Sequence, residues 1–280
     1  MLICETIAEI RDFVRKKKAE GKIVGFVPTM GYLHDGHMSL VKKAREECGA
    51  VVASIFVNPL QFGPREDFSQ YPRDLGRDCA ILEKGGAGAL FHPPVEEMYP
   101  GNFSTHVEVT GLTDCLCGRS RPGHFRGVAT VVAKLFNIVQ PDRAYFGQKD
   151  AQQVLVIRKM VEDLNMPVEI VAVSTVREAD GLAMSSRNVY LSPDQRAVAP
   201  VLYDSLRAAA RAASKGERDA RRLEEMVRDM LSSLDGASVD YVEIRSLPDL
   251  KDKERLDSPS LLALAVKFGK TRLIDNIVLE

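Results

Sequence analysis

Short apolar runs alternate with helix-patterned segments as far as about residue 175 of this 280-residue chain, and this alternation restricts the possible folds most. The apolar runs predict strands at Lys22–Val27, Ala50–Val57, Ala89–His92, Thr105–Val109, Arg143–Phe146 and Val168–Val173. Apolar residues at helical spacing predict helices between these strands. The first helix begins at a Thr6–Glu9 capping box and ends at Gly21. Further helices are predicted at Ser39–Glu47, Leu75–Lys84, Gly127–Val139 and Asp150–Leu164. Such units predict an α/β fold with a Rossmann-like, doubly wound parallel sheet.

The pattern changes after residue 176. Ser192-Pro193 places an N-cap residue before a proline at the first helical position, and predicts a helix to about Ser214. A charged helix at Arg218–Leu231 follows, and then three strands at Val239–Arg245, Leu261–Lys267 and Arg272–Leu279. Their short links favour an antiparallel sheet. We therefore expect a larger domain at residues 1–176 and a smaller α+β domain at residues 177–280, with the boundary near 176–184.

The balance of charge excludes several classes of partner. Lys and Arg number 38 and Asp and Glu number 39, which gives a net charge of −1. A dedicated nucleic-acid or anionic-membrane binder would normally carry a basic excess, whereas a few placed residues suffice for a small anionic ligand. No apolar run approaches the roughly 18 residues of a membrane span. Glu5 and Glu9 stand where a signal peptide would be basic and then apolar, so we expect a cytoplasmic protein.

The cysteines imply no disulfide framework, because there are five of them in a chain of moderate size. Cys115 and Cys117 form the only close pair, their spacing is not C-x-x-C, and no second pair follows. The favoured interpretation is two ordinary thiols in a loop, and the alternative is a zinc site.

The run Pro28–Leu40 (PTMGYLHDGHMSL) directly follows the first predicted strand and opens the next helix. Ligands of open α/β sheets bind at the carboxyl ends of strands, where this turn lies. A helix start offers backbone N–H groups and a partial positive charge, which suit a phosphate. His34 and His37 can face one ligand and donate N–H to its oxygens, and Gly36 allows close approach to the backbone. This placement favours a phosphate site over the alternative of two histidines that cap a loop.

An H-x-G-H sequence at this point is the signature of the nucleotidyltransferase superfamily, which includes the catalytic domain of class I aminoacyl-tRNA synthetases. That superfamily usually carries a second phosphate-binding loop similar to K-M-S-K-S. Here Met184–Asn188 (MSSRN) lies at the predicted domain boundary, and its two hydroxyls and arginine suit β- and γ-phosphates. Alone the tetrapeptide MSSR is more typical of a polar loop, but together with H-x-G-H it indicates a nucleotide site.

Longer strings narrow the assignment to one family. They are PTMGYLHDGHMSL, Phe56–Gly63 (FVNPLQFG), Tyr71–Arg73 (YPR), Arg121–Val128 (RPGHFRGV), Phe146–Asp150 (FGQKD) with Gln152-Gln153, and MSSRN. Together they resemble the pantoate–β-alanine ligase family over nearly the whole chain. The resemblance implies that ATP and Mg²⁺ convert pantoate into pantoyl adenylate with release of pyrophosphate, and that the amine of β-alanine then displaces AMP to give pantothenate, a precursor of coenzyme A. It also implies a homodimer built through the first domain.

The same resemblance implies a role for each matching residue. His34, His37, Lys149 and Arg187 would be catalytic, with the histidines on the phosphates and His37 a proton donor. The ATP-binding residues would be Met30, Gly31, Tyr32, Leu33, His34, Asp35, Gly36, His37, Gly147, Gln148, Lys149, Asp150, Val176, Met184, Ser185, Ser186 and Arg187. Gln61 and Gln153 would bind pantoate, and Gln61 would also touch β-alanine. Val128, Val131 and Val132 share one helix face and would enclose the gem-dimethyl group, or they are simply core residues.

The resemblance does not give a function to every residue of the matching strings, and it leaves the Mg²⁺ ligands open. Some family members hold Mg²⁺ with carboxylates shortly after the Y-P-R string, but Arg77 and Ile81 stand here where further ligands would be expected. We therefore expect Mg²⁺ to be bound mainly by the ATP phosphates and water, and we assign no metal ligand in the chain. His124 and Arg126, in the RPGHFRGV string, receive no role beyond a place near the phosphates or at an interface. His92 and His106 are expected to be structural or surface residues.

Three other functions compete with the ligase. A nucleotidyltransferase for a phosphorylated acceptor would need a second basic cluster, whereas glutamines suit a hydroxy acid. A truncated aminoacyl-tRNA synthetase is disfavoured by the net charge and by the short segment after residue 176. A non-catalytic nucleotide sensor would have lost His37, Lys149 or Arg187, and all three are present.

Overall fold

A computed structural model of the chain describes residues 1–64 and 66–280, and these divide into two compact units. The first unit comprises Met1–Thr110, Arg121–Gln148 and Gln153–Ser174. The second comprises Gly111–Ser120, Lys149–Gln152 and Thr175–Glu280. Two short segments from before residue 176 thus group with the second unit. The predicted domains, 1–176 and 177–280, stay a prediction.

The first unit is built on a six-stranded parallel sheet with the strand order β1-β4-β3-β2-β5-β6. The strands are β1 (Leu2–Cys4), β2 (Val24–Thr29), β3 (Ala50–Ile55), β4 (Ala89–Phe91), β5 (Arg143–Gly147) and β6 (Glu169–Val173). The helices are α1 (Ile7–Ala19), α2 (Asp35–Glu47), α3 (Leu75–Gly85), α4 (Val95–Met98), α6 (His124–Val139) and α7 (Ala151–Asp163), whose first two residues belong to the second unit. The predicted α/β fold with a Rossmann-like parallel sheet is confirmed.

Burial on both faces explains why the central strands are uniformly apolar. All six residues of β3 are buried, and Val24, Phe26 and Val27 of β2 have no exposed surface. The helix ends follow local signals as well. The Thr6–Glu9 capping box is present at the start of α1, and Gly21 has a φ of +73° just after that helix.

Two strand assignments differ from the sequence prediction. The segment Thr105–Val109 is not a strand, because the Val107 N–H donates to the Thr130 hydroxyl at 2.9 Å rather than to a neighbouring strand. The sequence pattern also missed β1, which has only three residues. β1 forms because Leu2 pairs with Ala89 at the edge of the sheet, a contact that no local pattern encodes.

The second unit pairs three antiparallel strands in the order β7-β8-β9, as predicted. They are β7 (Ala237–Ser246), β8 (Ser260–Phe268) and β9 (Thr271–Leu279), accompanied by α5 (Leu116–Ser120), α8 (Pro193–Val198), α9 (Val201–Ser214) and α10 (Ala220–Ser232). The helix expected from Ser192 to Ser214 is therefore two helices, which separate at Pro200 because proline has no N–H to continue the ladder. Across the described ranges, no helix is both long and apolar enough to cross a membrane.

Candidate active site

Three segments with predicted site residues follow neighbouring strands of the first unit's sheet, at the carboxyl ends of those strands. Gln61 follows β3, the His34–His37 turn follows β2, and Gly147 and Gln148 lie at the end of β5. These strands are adjacent and parallel, so their carboxyl ends point the same way. From β2 the chain continues to β3 on one side and later to β5 on the other, which makes this point a topological switch. Open α/β sheets bind ligands at such switch points.

A buried carboxylate shapes the turn after β2. Both oxygens of Asp78 accept backbone N–H groups, from Tyr32 at 2.7 Å and from Leu33 at 2.8 Å. Gly31 and Tyr32 have φ values of +85° and +51°, and a Cβ on Gly31 would lie only 3.1 Å from Asp78 Oδ2. Only 1% of the Asp78 side chain is exposed, and this burial raises the pKa of its carboxyl despite the backbone hydrogen bonds.

Arg77 supports the same turn from its other side. Its guanidinium donates to the Leu33 carbonyl at 2.8 Å and lies 4.9 Å from the centre of the Tyr32 ring. Arg77 and Asp78 thus fix the strained backbone that leads into His34. Neither role was predicted from the sequence, because only the packing of α3 beside the turn reveals it.

The two histidines cap the helix that they begin. His34 Nδ1 accepts the Gly36 N–H at 3.1 Å, and His37 Nδ1 accepts the His34 N–H at 3.4 Å. The ring centres are 4.1 Å apart. Since each Nδ1 is an acceptor, the neutral ring carries its proton at Nε2. The histidines can therefore cap the helix and bind a phosphate at the same time. Capping uses Nδ1 and leaves Nε2–H on each ring as a hydrogen-bond donor.

Gln61 is held beside the ATP-motif residue Met30. It ends a short 3₁₀ helix at Pro59–Gln61, is 9% exposed, and directs its amide nitrogen to Met30 Sδ at 3.0 Å. Asn58 orients this amide, because its Nδ2 donates to Gln61 Oε1 at 3.1 Å. The Asn58 Oδ1 accepts the Tyr99 hydroxyl at 2.8 Å. This role of Asn58 was not predicted from the sequence, although an Asn-Pro pair directly after a strand was a usable signal.

The three candidate pocket valines are deeply buried in α6. Val128, Val131 and Val132 are 2%, 6% and 5% exposed. Most of α6 is equally buried, so burial alone does not distinguish a pocket wall from the core. Their predicted contact with pantoate stays a prediction.

The candidate ATP-binding residues at the end of β5 and just after it are divided between the two units. Gly147 and Gln148 belong to the first unit, and Lys149 and Asp150 to the second, in a 3₁₀ helix at Gln148–Asp150. Lys149 Nζ lies 3.7 Å from Asp150 Oδ2. Gln152 is buried, and its amide accepts the Cys117 N–H and donates to the Leu112 and Cys115 carbonyls, which makes it a structural residue. Gln153, in the first unit, is only half-buried.

The MSSR segment and Val176 are adjacent within the second unit. The Met184 N–H donates to the Val176 carbonyl at 3.0 Å, and residues Arg177 and Ala183 form a β-bridge. Ser185 then caps the 3₁₀ helix Ser186–Tyr190, because its hydroxyl accepts the Arg187 N–H at 3.2 Å. The structure therefore brings the two last predicted ATP segments together.

Two neighbouring polar residues of β9 tie this segment to Lys149. The buried Asp275 accepts two hydrogen bonds from the Arg177 guanidinium, at 2.6 and 2.9 Å. Asn276, also buried, donates to the Lys149 carbonyl at 2.8 Å. Their only sequence signal was a polar pair in the middle of an apolar strand. Sequence analysis missed both residues, since their partners are about 100 residues or more away.

The structure confirms the expected loop for Cys115, which directly precedes α5, but not for Cys117. Cys117 lies in α5, both thiols are buried, and Cys117 Sγ is 3.2 Å from the Tyr241 hydroxyl and 3.5 Å from the Arg272 guanidinium. Within residues 1–64 and 66–280, no three His, Cys, Asp or Glu side chains are grouped so that they would hold a metal ion. The zinc alternative thus has no ligand set in the described part of the chain.

The fold defines an α/β protein with a doubly wound sheet, and the candidate ligand site lies at the switch point of that sheet. The family described as Pantoate-beta-alanine ligase matches residues 2–278. A pantothenate synthetase of Pelotomaculum thermopropionicum is 60% identical over 279 residues, which are 100% of this chain and 99% of that protein. The chain belongs to the pantoate–β-alanine ligase family and is a ligase of pantothenate biosynthesis.

Solved structures agree with this assignment. A pantothenate synthetase of Thermus thermophilus superposes with a TM-score of 0.94 at 51% identity, covering 99% of both chains. The pantoate–β-alanine ligase of Francisella tularensis, complexed with beta-gamma ATP and beta-alanine, gives a TM-score of 0.81 at 35% identity, covering 99% of this chain and 97% of that one.

Proposed function

We propose that this enzyme uses ATP to join pantoate and β-alanine through a pantoyl-adenylate intermediate. A pantoate carboxylate oxygen attacks the α-phosphorus of ATP, and the bond to pyrophosphate breaks. The β-alanine nitrogen then attacks the acyl carbon, AMP leaves with the electron pair, and the nitrogen loses a proton. The observation that carries the proposal is the capped His34–His37 pair at the switch point of a chain in this family. The Francisella ligase, complexed with beta-gamma ATP, supports ATP as the co-substrate.

Charge stabilisation on the phosphates is the main task of the protein in this scheme. In this scheme the neutral rings of His34 and His37 donate hydrogen bonds through Nε2–H to the phosphate oxygens. Proton transfer from His37 to a phosphate oxygen of the leaving group requires the imidazolium form of its ring. Lys149 and Arg187 supply the positive charge for the departing pyrophosphate. The remaining ATP contacts are the family-matched residues from Met30 to Gly36, with Gly147, Gln148, Asp150, Val176 and Met184 to Ser186. Asp150 accepts from the ribose hydroxyls in this scheme.

Amides and valines recognise the hydroxy acid. Gln61 and Gln153 each donate and accept, which suits a substrate with two hydroxyls and a carboxylate. Gln61 also contacts β-alanine in this proposal, and the contact of its amide nitrogen with Met30 supports a place beside the nucleotide. Val128, Val131 and Val132 enclose the gem-dimethyl group.

The proposal assigns no Mg²⁺ ligand in the chain. In the stretch after the Y-P-R string, both oxygens of Asp78 accept backbone N–H groups. No group of three suitable ligands occurs among the described residues. We therefore propose that Mg²⁺ arrives on the ATP phosphates with water ligands, and we derive no step through it.

We also propose that the protein is a cytoplasmic homodimer. Sedimentation that showed only the mass of a single chain at micromolar concentration would reject the dimer.

Exchange of labelled pyrophosphate into ATP tests the mechanism. With ATP, Mg²⁺ and pantoate but no β-alanine, the first step should run reversibly, so label should enter ATP. Gln153→Ala should weaken exchange through pantoate by about 1–3 kcal/mol, because a substrate group loses its partner, and should affect β-alanine saturation much less. Gln61→Ala should disturb both substrates. A strict requirement for β-alanine, with pyrophosphate release shown not to limit the rate, would contradict the adenylate while leaving the ligase assignment standing.

A further inference from the structure

The RPGHFRGV string, which has no role in the proposed reaction, forms a partly buried hydrogen-bond chain that ends on Gln61. Arg121 makes two hydrogen bonds to Glu66, from Nε to Oε1 and from Nη2 to Oε2, both at 2.6 Å. Only 16% of the Arg121 side chain and 26% of the Glu66 side chain are exposed. Burial raises the pKa of Glu66, but the Arg121 hydrogen bonds and charge outweigh it and lower the pKa to about 2. The pair is therefore ionised at neutral pH.

His124 continues the chain from Arg121 to the main chain of Gln61. Arg121 Nη1 lies 3.0 Å from His124 Nε2, and His124 Nδ1 lies 2.9 Å from the Gln61 carbonyl oxygen. A guanidinium has no acceptor, so Arg121 must donate and Nε2 must accept. The neutral ring then carries its proton at Nδ1 and donates it to Gln61. This tautomer is the opposite of the one that the backbone imposes on His34 and His37.

Gly127, one turn further along α6, brings the helix backbone directly against the Gln61 turn. A Cβ at this position would lie 2.2 Å from the Leu60 carbonyl oxygen and 2.6 Å from the Gln61 Cα, so only glycine fits. The Gly127 carbonyl also accepts Asn58 Nδ2 at 3.1 Å, and the same Nδ2 orients the Gln61 side-chain amide. The start of α6 therefore fixes both the main chain and the side chain of Gln61.

We propose that Arg121, His124 and Gly127 are positioning residues for Gln61, which set where its amide meets the two substrates. The inference rests on the proposed substrate-binding role of Gln61. These residues act through Gln61 and touch no substrate. Loss of the His124 hydrogen bond should let the Gln61 turn shift, and a shift of about 1 Å is enough to lose one substrate hydrogen bond.

The test compares His124→Leu, which removes the donor, with His124→Asn, whose amide nitrogen can replace Nδ1. His92→Leu is the matched control, because His92 Nδ1 makes the same kind of contact with a different carbonyl, that of Ile55, at 2.9 Å. We expect His124→Leu to raise the KM for pantoate and for β-alanine about tenfold, with the KM for ATP within about twofold. His124→Asn should recover much of the loss, and His92→Leu should match the wild type. All rates are taken below the measured Tm of each variant.

A double-mutant cycle with Gln61→Ala separates positioning from a general structural role. If His124 acts through Gln61, then His124→Leu should have no further effect on either KM in the Gln61→Ala background. An independent tenfold rise there, or an unchanged KM in His124→Leu alone, would overturn the inference and leave the role of Gln61 intact. Wild-type kinetics in Gln61→Ala itself would overturn both. Should His124→Leu not fold, Arg121→Lys, which breaks the bidentate pair, takes its place in the same cycle with the same outcomes.

Discussion

Asp78→Asn tests whether the buried carboxylate holds the turn that leads into the histidine pair. Asparagine keeps one acceptor and turns its NH₂ toward the other backbone N–H, so one of the bonds to Tyr32 and Leu33 is lost. An unsatisfied buried N–H costs about 1–3 kcal/mol. Because burial raises the pKa of Asp78, removal of the buried charge offsets part of that cost. We expect a net loss of about 1–2 kcal/mol in the free energy of unfolding, which corresponds to a Tm lower by about 2–4 °C.

The effect on catalysis should be larger than the effect on stability. Tyr32 has a φ of +51°, a conformation that costs about 1–2 kcal/mol for a residue with a side chain, so the turn relaxes once its acceptor is gone. A displacement of about 1 Å at the histidines should lower kcat for pantothenate formation about 10²-fold. The Mg²⁺ concentration for half-maximal rate should not change, because Asp78 is not a metal ligand in this interpretation.

Asp142→Asn provides the control. Asp142 Oδ2 accepts the Val24 N–H at 2.7 Å at the start of β2, the opposite end of the strand from the histidines. Its side chain is 41% exposed, so we expect a smaller loss of stability and full activity. Wild-type turnover by folded Asp78→Asn, or an equal loss of turnover in Asp142→Asn, would refute the reasoning. A raised Mg²⁺ requirement in Asp78→Asn would instead identify a metal ligand.

Three further outcomes follow from the structure. His34→Ala and His37→Ala should keep the fold and lower adenylate formation about 10²–10³-fold each in the exchange assay, the scale for loss of one transition-state donor; near wild-type exchange in both would remove them from the site. Cys115→Ser and Cys117→Ser should keep activity, because no proposed step uses sulfur, and metal analysis that found stoichiometric zinc lost in these variants would contradict this. Glu66→Gln should be less stable than the wild type above about pH 4.5, because the lowered pKa of Glu66 means that its ionised form stabilises the fold. The difference in the free energy of unfolding should shrink toward pH 2, where Glu66 becomes protonated. Denaturant titrations in which this difference grew on acidification would contradict the prediction.

Local chemistry was sufficient for much of the first unit and for the histidine pair. Burial on both faces of a parallel sheet requires continuous β-branched and apolar residues, so β2 and β3 were visible in the sequence. The Thr6–Glu9 capping box involves residues three apart, and it formed as predicted. The position of His34 and His37 after the first predicted strand depends only on strand and helix order. That order also placed them at the carboxyl edge of a sheet.

Contacts between residues distant in the sequence were decided only by the tertiary structure. Thr105–Val109 has the composition of a strand, yet the Thr130 hydroxyl takes the backbone N–H of Val107 that a ladder would need. Gln152 and Gln153 look equivalent in the sequence, but they point from successive positions of one helix, so one is buried in structural hydrogen bonds and the other is not. Asp78 beside Tyr32 and Leu33, His124 beside Gln61, and Asn276 beside Lys149 have no local signature. Each pair meets because strand order and helix packing bring a side chain to a backbone group that lies 45 to 127 residues away in the sequence.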